Sequence, residues 1–302
     1  TSDRPRAPGN RSEAVRESIR RAATTVRSQT LLGGYEMSSR RVALVTGAGR
    51  GGGIGRATAL RLADDGFDVA VLDLGGRFAD FPEYETAPPS ELDETAELVE
   101  ARGSAALAIK ADVSVATDVE SAVSAVKERF GRLDVLVNNA GLGIGIGPFT
   151  QVTEAQWDKN FDVMPKGTFL CCRYAVPLMI SGGGGRIVNV ASQAGLKGFP
   201  FLAPYSAAKF AVVGFTQAIS QELGPLGITA NCVCPGTVDT PLLRIGGAGS
   251  DEGIAKLVEK TVPLKRAQTP EDVAGVIAFL AGPDGAYLTG AALNISGGQT
   301  IV

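Results

Sequence analysis

The chain has 302 residues, 44% of them hydrophobic, and 29 Lys and Arg against 32 Asp and Glu give a net charge of −3. That length buries a full core without disulfides or metal, and the charge offers no electrostatic reason for nucleic acid or an anionic membrane as partner. A small-molecule partner is expected instead.

No apolar run approaches the roughly 18 to 20 residues that span a bilayer, and the N-terminus lacks a secretory h-region, so the sequence predicts a cytoplasmic protein. Cys171-Cys172 and Cys232-Val-Cys234 match neither a zinc knuckle nor a CxxC redox site and read as buried thiols. The chain has no histidine, which removes the commonest general base and metal ligand. Proton chemistry must rest on Tyr, Lys, Asp, Glu or Cys.

Residues 1–40 form an Arg-rich N-terminal extension. Val15, Ile19, Ala22 and Val26 share one side of a short helix from about Ser12 that could dock on a partner subunit, and a disordered arm is the other reading. Its Arg excess resembles a transit peptide, against which Glu13 and Glu17 count. A single domain is predicted over 41–302. Its strands fall at 42–47, 69–74, 105–109, 133–137, 186–191, 228–233 and 291–295, with a first helix near 54–66. Continuous Val, Ile and Leu runs separated by helices predict an α/β fold, a doubly wound Rossmann-type parallel sheet flanked by helices. One stretch is irregular: 75–90 is a long Pro-rich loop carrying Phe78, Phe81 and Tyr84, read as a flap or as surface decoration.

The first strand runs into TGAGRGGGIG, where Gly47, Arg50, Gly53, Ile54 and Gly55 sit at the turn into a helix, a geometry that suits a pyrophosphate. Asp73 at the end of strand two can accept from a ribose hydroxyl pair and would repel a 2′-phosphate, which favours NAD over NADP; Arg50 could offset part of that repulsion. Tyr205 and Lys209 are four apart, on one face of a helix, so the ammonium can act on the phenol.

These motifs and their order resemble the short-chain dehydrogenase/reductase family of single-domain type. The glycine motif has two extra residues before Gly-Ile-Gly; NNAG (138–141) is similar to the strand-four signature, and Ser192 stands thirteen residues before YSAAK (205–209). The resemblance implies that Tyr205 is the acid/base on the substrate oxygen. Lys209 would lower its pKa and bind the nicotinamide ribose, and Ser192 would orient the substrate. It also implies cofactor contacts at Asp112 and Val113 beside the adenine, at Asn139, Ala140 and Gly141, and at Pro235, Gly236, Val238 and Thr240 around the nicotinamide amide. The expected activity is an NAD-dependent interconversion of a secondary alcohol and its ketone, in a homo-oligomer, dimer or tetramer. An NAD-binding isomerase or lyase and a non-catalytic NAD-sensing scaffold stay open. The 75–90 loop resembles, in position and length, the one in carveol-dehydrogenase-like members that retain their NAD, and would cover the adenine end.

One position departs from the family. Aligned from Trp157-Asp158 to Lys166-Gly167-Thr168, the family's catalytic asparagine falls on Met164; Asn160 lies one helical turn earlier. Pro165 predicts a locally opened helix, and the relay that the family asparagine supports would survive through a freed Met164 carbonyl. Leu142, Ile144, Phe199, Leu202, Leu242 and Leu243 are predicted to face a hydrophobic or cyclic substrate, with 241–262 as its lid.

Overall fold

The computed structural model describes residues 38–244 and 249–301. Residues 1–37, which hold most of the predicted extension, and 245–248 in the predicted lid lie outside the described residues. Ser38 is already part of the domain: its N–H donates to the Phe130 carbonyl at 2.9 Å and its hydroxyl to Asp68 at 2.6 Å. Arg40 reaches the Gly103 carbonyl at 2.7 Å. The domain therefore begins before the predicted boundary at 41.

Seven strands form one parallel sheet in the order β3-β2-β1-β4-β5-β6-β7. They are β1 (Val42–Thr46), β2 (Asp68–Asp73), β3 (Ala106–Lys110), β4 (Val135–Asn138), β5 (Gly185–Val190), β6 (Ile228–Pro235) and β7 (Ala292–Ile295). Each lies within two residues of its predicted span. The pleat sends alternate residues to opposite faces. Val42, Leu44, Ala70, Leu72 and Ile187 pack under α3 (Ala116–Phe130), α5 (Gly167–Ser181) and α6 (Ala203–Leu223). Ala43, Val45, Val69, Val71 and Val188 pack under α1 (Ile54–Asp64), α2 (Pro89–Glu100) and α8 (Pro270–Ala281). With both faces covered, period-two patterning is lost, and the strands read as unbroken apolar runs.

Strand order reverses between β1 and β4, which opens a crevice at their C-terminal ends. Helix α4 (Glu154–Phe161) starts at a capping box made by Thr153 and Gln156 and continues without a break through a π-turn, Asp162–Lys166, into α5. The opening expected at Pro165 is thus a π-bulge. Proline withholds an N–H from the Phe161 carbonyl four residues back, and Gly167 N–H instead reaches the Asp162 and Met164 carbonyls. Of the predicted lid, the described residues hold a single helical turn at Pro241–Leu243 and helix α7 (Asp251–Thr261).

All four cysteines are free and buried, and burial alone pushes the Cys171 thiol up to about 12. No helix among the described residues is long and apolar enough to cross a membrane.

Candidate active site

The crevice opens into a cavity of about 550 Å³. At one end Gly47 turns the chain out of β1 with φ +66°; a Cβ there would meet the Ala140 Cα at 2.8 Å, and one on Gly55 would meet the Gly47 carbonyl oxygen at 2.1 Å. Strand end, NNAG segment and first turn of α1 therefore meet backbone to backbone, which only glycine permits. The Asn139 amide ties them together, donating to the Thr46 and Gly47 carbonyls at 3.0 and 2.9 Å. Gly53 caps α1 without a side-chain partner and no acid occupies the first turn, so N–H groups are left for an anion. The two extra glycine-loop residues bulge away from the cavity: Gly51 N–H donates to Glu91 at 2.6 Å, and Arg56 holds the Gly49 and Glu91 carbonyls at 2.8 and 2.7 Å.

Asp73 accepts from the Gly49 and Leu74 N–H groups, each at 2.8 Å. Burial raises its pKa, and those amides with the Arg50 charge oppose the rise. Asp112 binds its own turn, accepting from Ser114 N–H at 2.8 Å and Ser114 hydroxyl at 2.7 Å, while Val113 presses on α5 where a Cβ on Gly167 would stand 2.8 Å from it. The residues present fit a nicotinamide dinucleotide: helix N–H groups without a side-chain cap, and the Asp73 carboxylate at the end of β2 in the wall of the same cavity.

At the other end, β5 delivers Ser192 and α6 presents Tyr205 and Lys209 on one face. Ser192 accepts from Ala194 N–H at 3.1 Å, which leaves its own proton for an oxygen in the cavity. Lys209, 4% exposed, donates to the Val190 carbonyl at 2.8 Å and lies 5.7 Å from the Tyr205 ring centroid. Burial lowers its ammonium to about 8. Tyr205 faces the cavity yet is enclosed by protein, and burial raises its phenol; the Ser192 hydrogen bond pulls it back down, and Tyr84 adds to the rise. The resemblance implies a phenol depressed by Lys209; in the structure the Ser192 hydrogen bond also pulls it down.

Of the sequence-predicted residues, the structure brings Gly47, Arg50, Gly53, Ile54, Asp73, Asp112, Val113, Asn139, Ala140, Gly141, Pro235, Gly236, Val238 and Thr240 to the cavity wall with Ser192, Tyr205 and Lys209. Gly55 sits behind the wall. Met164, 1% exposed, also stands behind it: its Cγ and the Lys209 Nζ lie 3.8 and 3.6 Å from the point where Gly141 would carry a Cβ. Asn160 faces elsewhere, donating to the Ile144 and Gln156 carbonyls at 2.9 and 2.7 Å. Ile144 consequently turns into the core, and Ile146 lines the cavity in its place; Leu142, Phe199, Leu202, Leu242 and Leu243 line it as predicted.

The 75–90 loop and two glutamines contribute beyond the predicted residues. The 75–90 loop lies across the cavity rather than over the adenine end alone: Phe78 and Tyr84 line it, and the Tyr84 hydroxyl accepts from Gly143 N–H at 3.3 Å. Lys159 anchors the loop through Asp80 at 2.8 Å and over the Phe78 ring at 4.4 Å. Gln193 and Gln299, with Leu257 and Thr261 of α7, complete the wall.

A family model described as enoyl-(acyl carrier protein) reductase matches residues 47–300. A short-chain dehydrogenase/reductase of Armillaria gallica is 42% identical over 266 residues, 87% of this chain and 97% of that protein. The chain belongs to the short-chain dehydrogenase/reductase family. Another member, cyclohexanol dehydrogenase of Rhodococcus sp. (strain TK6), is 40% identical over 266 residues, 86% of this chain and 96% of that one. The crystal structure of carveol dehydrogenase from Mycobacterium avium in complex with NAD superposes with a TM-score of 0.79 at 31% identity, covering 86% of this chain and 97% of that one. Membership makes the chain a dehydrogenase/reductase, and the doubly wound sheet is the family's fold.

Proposed function

We propose that the chain is an NAD-dependent dehydrogenase that interconverts a hydrophobic or cyclic secondary alcohol and its ketone. One observation carries the proposal: the Ser192 and Tyr205 hydroxyls and the Lys209 ammonium share a single apolar-walled cavity with Asp73 at its far end. The nicotinamide would supply or accept the hydride. Ser192, held by the bond it accepts from Ala194 N–H, donates to the substrate oxygen and fixes its distance from Tyr205. The Tyr205 phenol gives that oxygen a proton in ketone reduction and removes one in alcohol oxidation. Lys209 stabilises the phenolate electrostatically. Leu142, Ile146, Phe199, Leu202 and Leu242 surround the rest of the substrate and offer it no charged partner. Cyclohexanol dehydrogenase among the relatives supports a cyclic alcohol.

Purified protein, offered a panel of cyclic and open-chain secondary alcohols with either coenzyme, is expected to reduce the nicotinamide with kcat/KM at least about tenfold higher for NAD, since the Asp73 carboxylate opposes a 2′-phosphate. No absorbance change with any alcohol or ketone would overturn the proposal. Product formed without one would identify an isomerase.

The Met164 carbonyl, inside the π-turn at Pro165, carries the proton relay in this reading. Met164→Asn is then expected to change kcat by less than about tenfold in the same assay. A gain beyond about a hundredfold would show that the relay is broken in the native chain.

A further inference from the structure

We infer that Gln299 is a positioning residue that couples the lid helix α7 to the catalytic serine and to the nicotinamide segment, an inference that rests on the dehydrogenase reading above. Its Oε1 accepts from Thr237 N–H at 3.0 Å, from the Thr237 hydroxyl at 3.0 Å and from Gln193 Nε2 at 3.1 Å. A backbone N–H can only donate, so Thr237 fixes which end of the amide faces it. The amide nitrogen must then point the other way, and it donates to the Thr261 hydroxyl at 3.0 Å. Thr261 can receive that bond because its own proton goes to the Leu257 carbonyl at 2.7 Å. Gln193 is oriented in turn by the Thr300 hydroxyl, which donates to its Oε1 at 2.7 Å.

Each arm ends at a different part of the site. Gln193 follows Ser192 directly and opens the tight turn that Ser192 caps. Thr237 lies in the segment from Pro235 to Thr240 that borders the nicotinamide end of the cavity. Thr261 is the last residue of α7, whose Leu257 also lines the cavity. A shift of α7 toward a bound substrate therefore pulls on the same amide that sets the Ser192 turn and the Thr237 backbone. No ionisable group takes part, so the coupling acts through geometry and leaves the apparent pKa of the reaction where it is.

Four variants test this: Gln299→Leu, Thr261→Val, the double variant, and Gln299→Glu, which keeps the acceptor. Gln299→Leu is expected to lower kcat about thirtyfold without moving the pH profile, and Thr261→Val to raise KM for the alcohol about fivefold while kcat stays within about twofold. The double variant should be no worse than Gln299→Leu within about twofold, because both changes cut one network. Gln299→Glu should keep at least about a third of wild-type kcat.

A second readout needs no turnover. Amide exchange across Asp251–Thr261 should slow when NADH is added to wild type, and should not slow in Gln299→Leu or in Gln299→Glu, which lacks the donor to Thr261. Wild-type-like kcat in Gln299→Leu, multiplicative effects in the double variant, or equal NADH protection of α7 in all variants would overturn the inference. A wild type without nicotinamide-linked turnover would instead sink the dehydrogenase reading, and the exchange experiment would still decide the coupling.

Discussion

Tyr205→Phe is expected to lower kcat for alcohol oxidation about a thousandfold while NADH binding stays within about threefold of wild type. The substitution removes one oxygen and leaves the ring, which packs against the apolar core beneath α6. No histidine exists anywhere in the chain to take over the proton, and Asp73 is bound to the glycine loop through Gly49 N–H. Steady-state kinetics with fluorescence titration of NADH separates the two effects, and a loss smaller than about tenfold would exclude Tyr205 as the acid/base.

The pH dependence follows from the same group. Oxidation needs the phenolate, so its rate should rise with pH through the apparent pKa and then level off. Burial raises that pKa and the Ser192 hydrogen bond lowers it. Removing the lowering partner in Ser192→Ala should move the rising limb to higher pH. A limb that stays in place would mean that Ser192 does not act on the phenol.

Lys209→Met is expected to abolish most turnover, by about a hundredfold or more, and at the same time to stabilise the cofactor-free protein. Depression of the ammonium from 10.5 to about 8 corresponds to about 3 kcal/mol of cost to the folded chain at neutral pH. Loss of the bond to the Val190 carbonyl offsets about 1 kcal/mol of the relief. The net gain of about 2 kcal/mol should raise Tm by roughly 4 to 6 °C.

The sign with pH is fixed. Below about pH 8 the lysine is charged in both states and the folded state bears the whole cost. Between about 8 and 10.5 the unfolded chain binds the proton that the folded chain has released, so wild-type stability rises. The advantage of the variant should be greatest below pH 8 and fade toward pH 10.5. Thermal melts across that range decide it, and a variant less stable than wild type at pH 7 would show that the ammonium is well solvated.

The parts of the molecule that the sequence disclosed are those with a local signature. Strands buried on both faces leave unbroken apolar runs, so all seven could be placed to within two residues. Gly47 and Gly55 announce a backbone contact, and a four-residue spacing puts Tyr205 and Lys209 on one helix face. What stayed hidden depends on contacts between distant segments. Gln299 meets Gln193 across 106 residues and Thr237 across 62, and no spacing rule reaches that far. The direction of the 75–90 loop is set by Lys159, which holds Asp80 from the far side of the chain. Pro165 was legible as a disturbance, but its form was not. The helix runs through it as a π-turn, Asp162–Lys166, and α5 packs on Val113 at Gly167 directly beyond. The burial that raises the Tyr205 phenol was hidden for a related reason, since spacing gives proximity and says nothing of burial.

The reversal of strand order between β1 and β4 also shapes how the chain comes together. As the polypeptide is made, β1 acquires β2 and then β3 on one side, while its other edge waits for a partner that begins at Val135. That waiting edge is VALVT, fully buried once docked and with its backbone unpaired until β4 arrives, which makes the half-built sheet sticky. A nucleotide that bridges the crevice has no place to bind until both halves have joined. During refolding it can therefore stabilise the finished sheet, and it offers no protection to the intermediate most prone to aggregate.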